Sequence, residues 1–212
     1  KDFPHTISMS AHTHYQEQIF YAQQDGWQQE KPHHEYNVGT TSGDWYSGPK
    51  DQKGVPASTM RDGTPKGYAV LHIDGNQYQF DYKVADSPKE RQIDLYHTKK
   101  VKEGKRKRAF LYANFFMGHE SSKVEYRIGN GEWKKMNWDK SIDYNYMNTL
   151  IKIDNAEITS IGNRPSSPEI STHIWSVRLP SKLTVGTYQI EVRATDLYGN
   201  TFTEKSSFDV IQ

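Results

Sequence analysis

The tightest constraint on this chain is a succession of short strand signals, broken by turn residues, from about Ser87 to Gln212. Gln92 to Tyr96 is one such signal. Ala109 to Phe116 is another, and its unbroken apolar run predicts burial on both faces. Val124 to Ile128 and Trp133 to Met136 flank Gly129-Asn130-Gly131-Glu132, the pattern of a hairpin. Thr172 to Leu179 ends at Pro180, and Thr187 to Ala194 sets Tyr188, Ile190, Val192 and Ala194 on one face. A turn at Thr195 to Asn200 leads into a last strand, Thr201 to Ile211. About seven short strands over roughly 125 residues predict a β-sandwich of immunoglobulin-like type. Asp143 to Gly162 lies outside this rhythm, and Asn145 to Lys152 reads as a short helix.

The preceding segment is organised differently. Phe3, His5, Ile7 and Met9 alternate with polar residues, which predicts a short strand leading into Ala11-His12-Thr13-His14. Glu17 to Ala22 is apolar-rich but of undecided type, and Gln23 to Pro32 reads as loop. From Tyr36 the glycines crowd together, which predicts several turns. Tyr68 to Ile73 and Tyr78 to Lys83 flank Asp74-Gly75-Asn76 and predict a hairpin. The strand pattern breaks at Ala85-Asp86-Ser87-Pro88, so the expected division is 1–86 and 87–212.

Composition narrows the function classes. Fourteen Tyr and five Trp in a chain with few aliphatic residues favour strands. Lys and Arg total 27 against 26 Asp and Glu, so no global field draws the chain to nucleic acid, and no nucleic-acid partner is expected. No apolar run is long enough for a membrane span. Without Cys there is no disulfide, thiol nucleophile or Cys-ligated zinc. There is no Gly-x-Ser-x-Gly elbow, P-loop or dinucleotide fingerprint. The chain begins at Lys1 without Met and shows no signal peptide, which fits a processed protein or a piece of a longer one.

His12 and His14 are the first chemical candidates. On an extended backbone, residues two apart point the same way, about 7 Å apart, where two imidazoles can bind one cation or two adjacent ones. Ile7-Ser8-Met9-Ser10-Ala11-His12-Thr13-His14 resembles the last metal-binding motif of calcineurin-like metallophosphoesterases, a strand ending in Gly-His-x-His. Val38 to Gly48 looks like that family's Gly-rich Trp segment, and Arg61-Asp62-Gly63-Thr64-Pro65-Lys66-Gly67-Tyr68 like its Asp-Gly-Thr-Pro-x-Gly-Tyr signature. His173-Ile174-Trp175 with Leu179-Pro180, and Val192 to Gly199, look like the β-sandwich appended to one secreted bacterial branch.

The resemblance implies a fold class that is mainly β: the C-terminal part of a metallophosphoesterase α/β sandwich, then an Ig-like β-sandwich. It implies His12 and His14 as metal ligands, a divalent metal pair (Mn, Zn or Fe) and a phosphate-ester substrate. In the family two cations activate a water for in-line attack on phosphorus. It also implies a secreted or periplasmic location. Ala11 stands where the family has Gly, which predicts a strained turn if that position needs positive φ. The family's Asp-x-His and Gly-Asn-His triplets do not occur here. The chain is therefore expected to be incomplete and inactive alone, with the N-terminal catalytic portion as its missing partner. The alternative is a non-catalytic binding or scaffolding module, carbohydrate- or protein-binding.

Other residues carry two readings each. His33 and His34, in Pro32-His33-His34-Glu35, form a metal site, a cluster that approaches substrate phosphate, or a solvated loop before a strand. Trp45, beside Tyr46, either walls a substrate cleft or packs. Asp62-Gly63-Thr64-Pro65 reads as a turn. His5, His72, His97, His119 and His173 have no ligand spacing and read as structural or exposed. The basic run Lys99 to Arg108 reads as an anionic-surface patch or as an exposed hairpin tip around Glu103-Gly104. Trp133, Trp138, Tyr144 and Tyr146 offer sugar-stacking faces or core packing.

Overall fold

The computed structural model describes residues 5–104, 109–158 and 162–212. Strands β1 (Ile7–Ser10), β2 (Glu17–Tyr21) and β3 (His33–Asn37) form a small sheet in the order β1-β3-β2. β1 runs parallel to β3, and β2 runs antiparallel to it. Phe3, the first residue of the alternating pattern, lies outside the described residues. β4 (Gly67–Asp74) and β5 (Gln77–Val84) form the expected hairpin, with Gly75 supplying the left-handed φ at its tip. Period-two alternation on β5 buries Phe80, Tyr82 and Val84. They pack with Tyr36 and Met60, and with Phe116 and Met117 from further along the chain.

The later strands are β6 (Ile93–His97), β7 (Lys100–Lys102), β8 (Phe110–Phe115), β9 (Lys123–Ile128), β10 (Lys134–Lys135) and β11 (Asn137–Ser141). Helix α1 (Tyr144–Asp154) follows, then β12 (Ser171–Arg178), β13 (Gly186–Thr195) and β14 (Thr201–Ile211). They make two facing sheets, ordered β10-β9-β13-β14-β7 and β11-β12-β8-β6. That is the immunoglobulin arrangement: β6, β8, β12 and β11 occupy the A, B, E and D places, and β9, β13 and β14 the C, F and G places. Leu111, Phe115, Trp175, Ile190, Val192 and Phe208 fill the space between the sheets. On the outer face of β13, Glu191 and Arg193 stand opposite Arg127 and Glu125 of β9 and bond to them at 2.6 and 2.8 Å. Such cross-strand pairs keep a solvated face in register.

The unbroken apolar run in β8 is explained by its two contacts. Leu111, Ala113 and Phe115 enter the sandwich core, while Asn114 and Phe116 are buried against the preceding segment. α1 is the short helix expected from sequence, and the Asp143 side chain caps it by accepting from Tyr146 N at 2.7 Å. The basic run departs from the hairpin reading. β7 crosses to the opposite sheet and pairs parallel with the end of β14, because Val101 has an apolar core to enter there. Lys105 to Arg108, the remainder of that run, lie outside the described residues. Among the described residues no helix is long and apolar enough to cross a membrane.

Candidate functional site

The His12–His14 loop is the reversal between β1 and β2. The pair does not stand on an extended backbone: His12 has φ +82° and His14 φ +60°. Ala11 is outside the left-handed region, so its Cβ strains nothing. The unfavourable conformation falls on the histidines themselves, at a cost of about 1–2 kcal/mol per residue. Side chains on both flanks hold it. Asn37 Nδ2 donates to Thr13 Oγ1 and, at 3.0 Å, to Tyr15 O, while Asp62 Oδ2 accepts from Gln16 N at 2.7 Å.

His14 is fixed more closely. Its Nδ1 lies 2.5 Å from Gly43 O, and its ring stacks on Trp45 at 4.4 Å. A carbonyl only accepts, so Nδ1 carries a proton, and in the neutral tautomer Nε2 holds the lone pair. Metal-ligating histidines are oriented in this way, by donating the other ring N–H to a carbonyl. His12 is exposed beside it. Of the two rings, it is His14 that shares this orientation. Among the described residues, however, no group of three or more His, Asp or Glu is placed to hold a metal ion.

The Gly-rich segment presents two aromatic rings next to His14. Trp45 and Tyr46 both have left-handed backbones and are 65% and 54% exposed. Lys66 Nζ stands 5.5 Å from the Tyr46 ring centroid. Gly43 makes the turn possible, since a Cβ there would lie 1.4 Å from Ser58 O. Positive φ at non-glycine residues costs of order 1–3 kcal/mol each and concentrates at functional sites. His14 and Trp45 are thus brought together, as one exposed edge.

Behind this edge is a buried polar network that sequence reading missed. Asp62 forms its expected turn, accepting from Thr64 N at 2.9 Å. Its Oδ2 also meets His173 Nε2 at 3.0 Å, with both side chains 1% exposed. His173 Nδ1 faces Asn114 Oδ1 at 2.7 Å. Asn114 cannot be reversed, because its Nδ2 donates to Asp62 O and to Asp143 Oδ2. The imidazole therefore faces an acceptor at each nitrogen. A doubly protonated ring would satisfy both acceptors and make the contact with Asp62 a buried ion pair. Burial raises the Asp143 carboxyl, while the Tyr146 N–H and the Asn114 amide work against that rise. The network ties β8, β12 and the start of α1 to Gln16, the residue that closes the histidine loop. Asp62 and His173 each fall in a segment that carries the resemblance, but nothing in the sequence pairs them with each other or with Asn114, since they are far apart along the chain.

His34 is not part of this edge. It lies in β3 rather than in a loop and is 3% exposed. It is three residues from Asn37, the partner of Ser10, hence about 10 Å along the strand from the loop. Phe20 stacks on its ring at 4.4 Å, and Tyr78 Oη bonds to its Nδ1 at 2.8 Å. Burial, with His119 and His33 nearby, lowers its pKa to about 4, so the ring is neutral at pH 7. The structure places His34 in a strand and packed, in place of the solvated loop, because alternation in β3 turns it inward.

A family described as the C terminal of calcineurin-like phosphoesterases matches residues 35–202. No curated protein matches the chain.

Proposed function

The chain belongs to the family formed by the C-terminal region of calcineurin-like phosphoesterases, and we propose that it closes the active site of a metal-dependent hydrolase of phosphate esters. Residues 1–86 would complete the catalytic portion and residues 87–212 would be its Ig-like companion. The observation that carries the reading is His14: its Nδ1–H donates to Gly43 O, the orientation that metal-ligating histidines take. The family match begins at residue 35, after His12 and His14, and runs across the proposed 86/87 division.

On this reading His12 and His14 contribute two donors to a cation pair whose other ligands come from the N-terminal portion. Bound divalent cations would supply charge to activate water and to offset the phosphoryl oxygens. Trp45 and Tyr46 would wall the substrate side of the edge. Asp62 and Asn37 hold the loop that carries both histidines. The reading carries with it a secreted or periplasmic location, which an encoded signal peptide upstream would support.

The test is made in the longer protein that the upstream reading frame encodes. His12→Ala and His14→Ala should each lower Mn²⁺ affinity by at least about 10–100-fold, the range found for weakened metal shells. Turnover of p-nitrophenyl phosphate should fall with it. Unchanged turnover in His12→Ala would refute the ligand assignment. The second reading, a non-catalytic binding module, is favoured by the exposure of Trp45 and Tyr46. It predicts partner capture that is indifferent to metal and to both histidine substitutions.

A further inference from the structure

We infer that the Ig-like sandwich is a working part of the histidine edge, and that Gln16 and His173 are positioning residues for the loop that carries His12 and His14. This deepens the metal-site reading and rests on it.

Gln16 follows His14 by two residues and is 2% exposed. Its backbone N–H donates to Asp62 Oδ2 at 2.7 Å, and its Nε2 donates to Phe116 O at 3.2 Å. Its Oε1 accepts from Tyr36 Oη. Gly39 closes over the side chain, since a Cβ there would lie 2.9 Å from Gln16 Cγ. Gln18, on β2, donates to Met117 O at 2.6 Å. Phe116 and Met117 directly follow β8, a strand of the sandwich. The chain that leaves the histidine loop is therefore bonded to the sandwich twice within three residues.

Asp62 makes the link from the other side. The same Oδ2 that accepts from Gln16 meets His173 Nε2 on β12 at 3.0 Å, while Asp62 O accepts from Asn114 Nδ2 on β8. Gly63 permits this close approach, because a Cβ there would collide with Asp143 and with Asn114 Nδ2. A displacement of β12 thus moves the acceptor on which the histidine loop ends.

The Trp45 side of the edge is tied to the sandwich independently. Asp44 is 1% exposed and accepts from Ser166 N at 2.6 Å. Gly48 N donates to Asn163 O, Gly162 N to Gly48 O and Glu169 N to Arg61 O, each at 2.9 Å. These partners lie in the 162–170 stretch that leads into β12. Both members of the His14–Trp45 stack are consequently anchored on one strand and its approach. Buried polar contacts are costly to leave unmade, so they fix a geometry closely. Groups that orient metal ligands commonly alter affinity by about 10–100-fold.

The test has two parts. In the chain itself, nitrogen-15 NMR of the His14 imidazole follows the Nδ1–H, whose exchange reports the bond to Gly43 O. His173→Leu and Gln16→Met should each quicken that exchange at least about tenfold, under conditions where amide spectra show a folded chain. In the longer protein that the upstream reading frame encodes, both should weaken Mn²⁺ affinity about tenfold. Their kcat on p-nitrophenyl phosphate should return at saturating Mn²⁺. Ile190→Val lowers stability from within the sandwich core but should move neither readout. Should His173→Leu fail to fold, Gln16→Met carries the test, since it keeps the backbone bond to Asp62 and removes only the side-chain ties. The inference is overturned if the folded variants keep wild-type exchange at His14 and wild-type Mn²⁺ affinity, or if Ile190→Val shifts both equally. Mn²⁺ affinity unchanged in His14→Ala would instead refute the ligand reading, and the exchange rates in the chain would still decide the positioning.

Discussion

Replacing His173 by Leu tests the buried network directly. Leu preserves most of the side-chain volume, so the loss is mainly polar. Removing one member of a buried ion pair typically costs about 3–5 kcal/mol, because the other charge is left without its counterion. Asp62 keeps three donors in the variant, Gln16 N, Thr64 N and Thr64 Oγ1, which argues for the lower end. Asn114 Oδ1 also loses its partner, worth about 1–3 kcal/mol for a buried acceptor. The two losses overlap, so the expected cost is about 3–5 kcal/mol, or roughly two to four decades in the folding constant. Urea unfolding followed by near-ultraviolet circular dichroism at neutral pH measures it, with the slope unchanged. Asp62→Asn in the same background should recover part of the loss, giving a coupling of at least about 1 kcal/mol in the double-mutant cycle. Amide exchange around residues 11–16 should quicken, since the anchor of Gln16 is weakened. A cost below about 1 kcal/mol, or no coupling, would refute the idea that this pair braces the histidine loop.

Two further outcomes are expected. The His34 pKa is about 4 in the folded chain against 6.5 ordinarily. The unfolded chain therefore takes up the proton first on acidification. The stability from keeping His34 neutral is whole above pH 6.5 and is lost as pH falls toward 4, by about 3 kcal/mol; His34→Phe should flatten that part of the profile, and an unaltered slope would count against it. Gly43→Ala has no open conformation, because its φ is +51° and the new methyl would meet Ser58 O. A loss of about 2–4 kcal/mol is expected by thermal unfolding, with the His14–Trp45 stack disturbed; a neutral result would show that the 41–46 turn can be rebuilt.

What could be read from the chain in advance followed from local rules. Alternation on β5 and β13 turned Phe80, Tyr82, Ile190 and Val192 inward, because side-chain direction in a strand depends on parity alone. Gly75 and Gly129 marked their hairpins, because left-handed φ comes at no steric cost only to glycine. The His12–His14 pair and Trp45 stood out as candidates by residue type and order.

Other features were decided where distant segments meet. The short stretch around Val101 left its expected hairpin because the opposite sheet offered it a core, a choice that no window of neighbouring residues contains. His34 was pulled inward by the pairing of β3 with two strands, and His173 found Asp62 and Asn114 far away in sequence. The sequence by itself determined the strands, their turns and the residues able to carry chemistry, since these depend on backbone geometry within a few residues. Only the tertiary structure decided which histidine faces solvent, which is neutral and buried, and which pairs with a carboxylate. Burial and hydrogen-bond partners are set by contacts between remote segments, and those contacts govern the charge and reach of an imidazole.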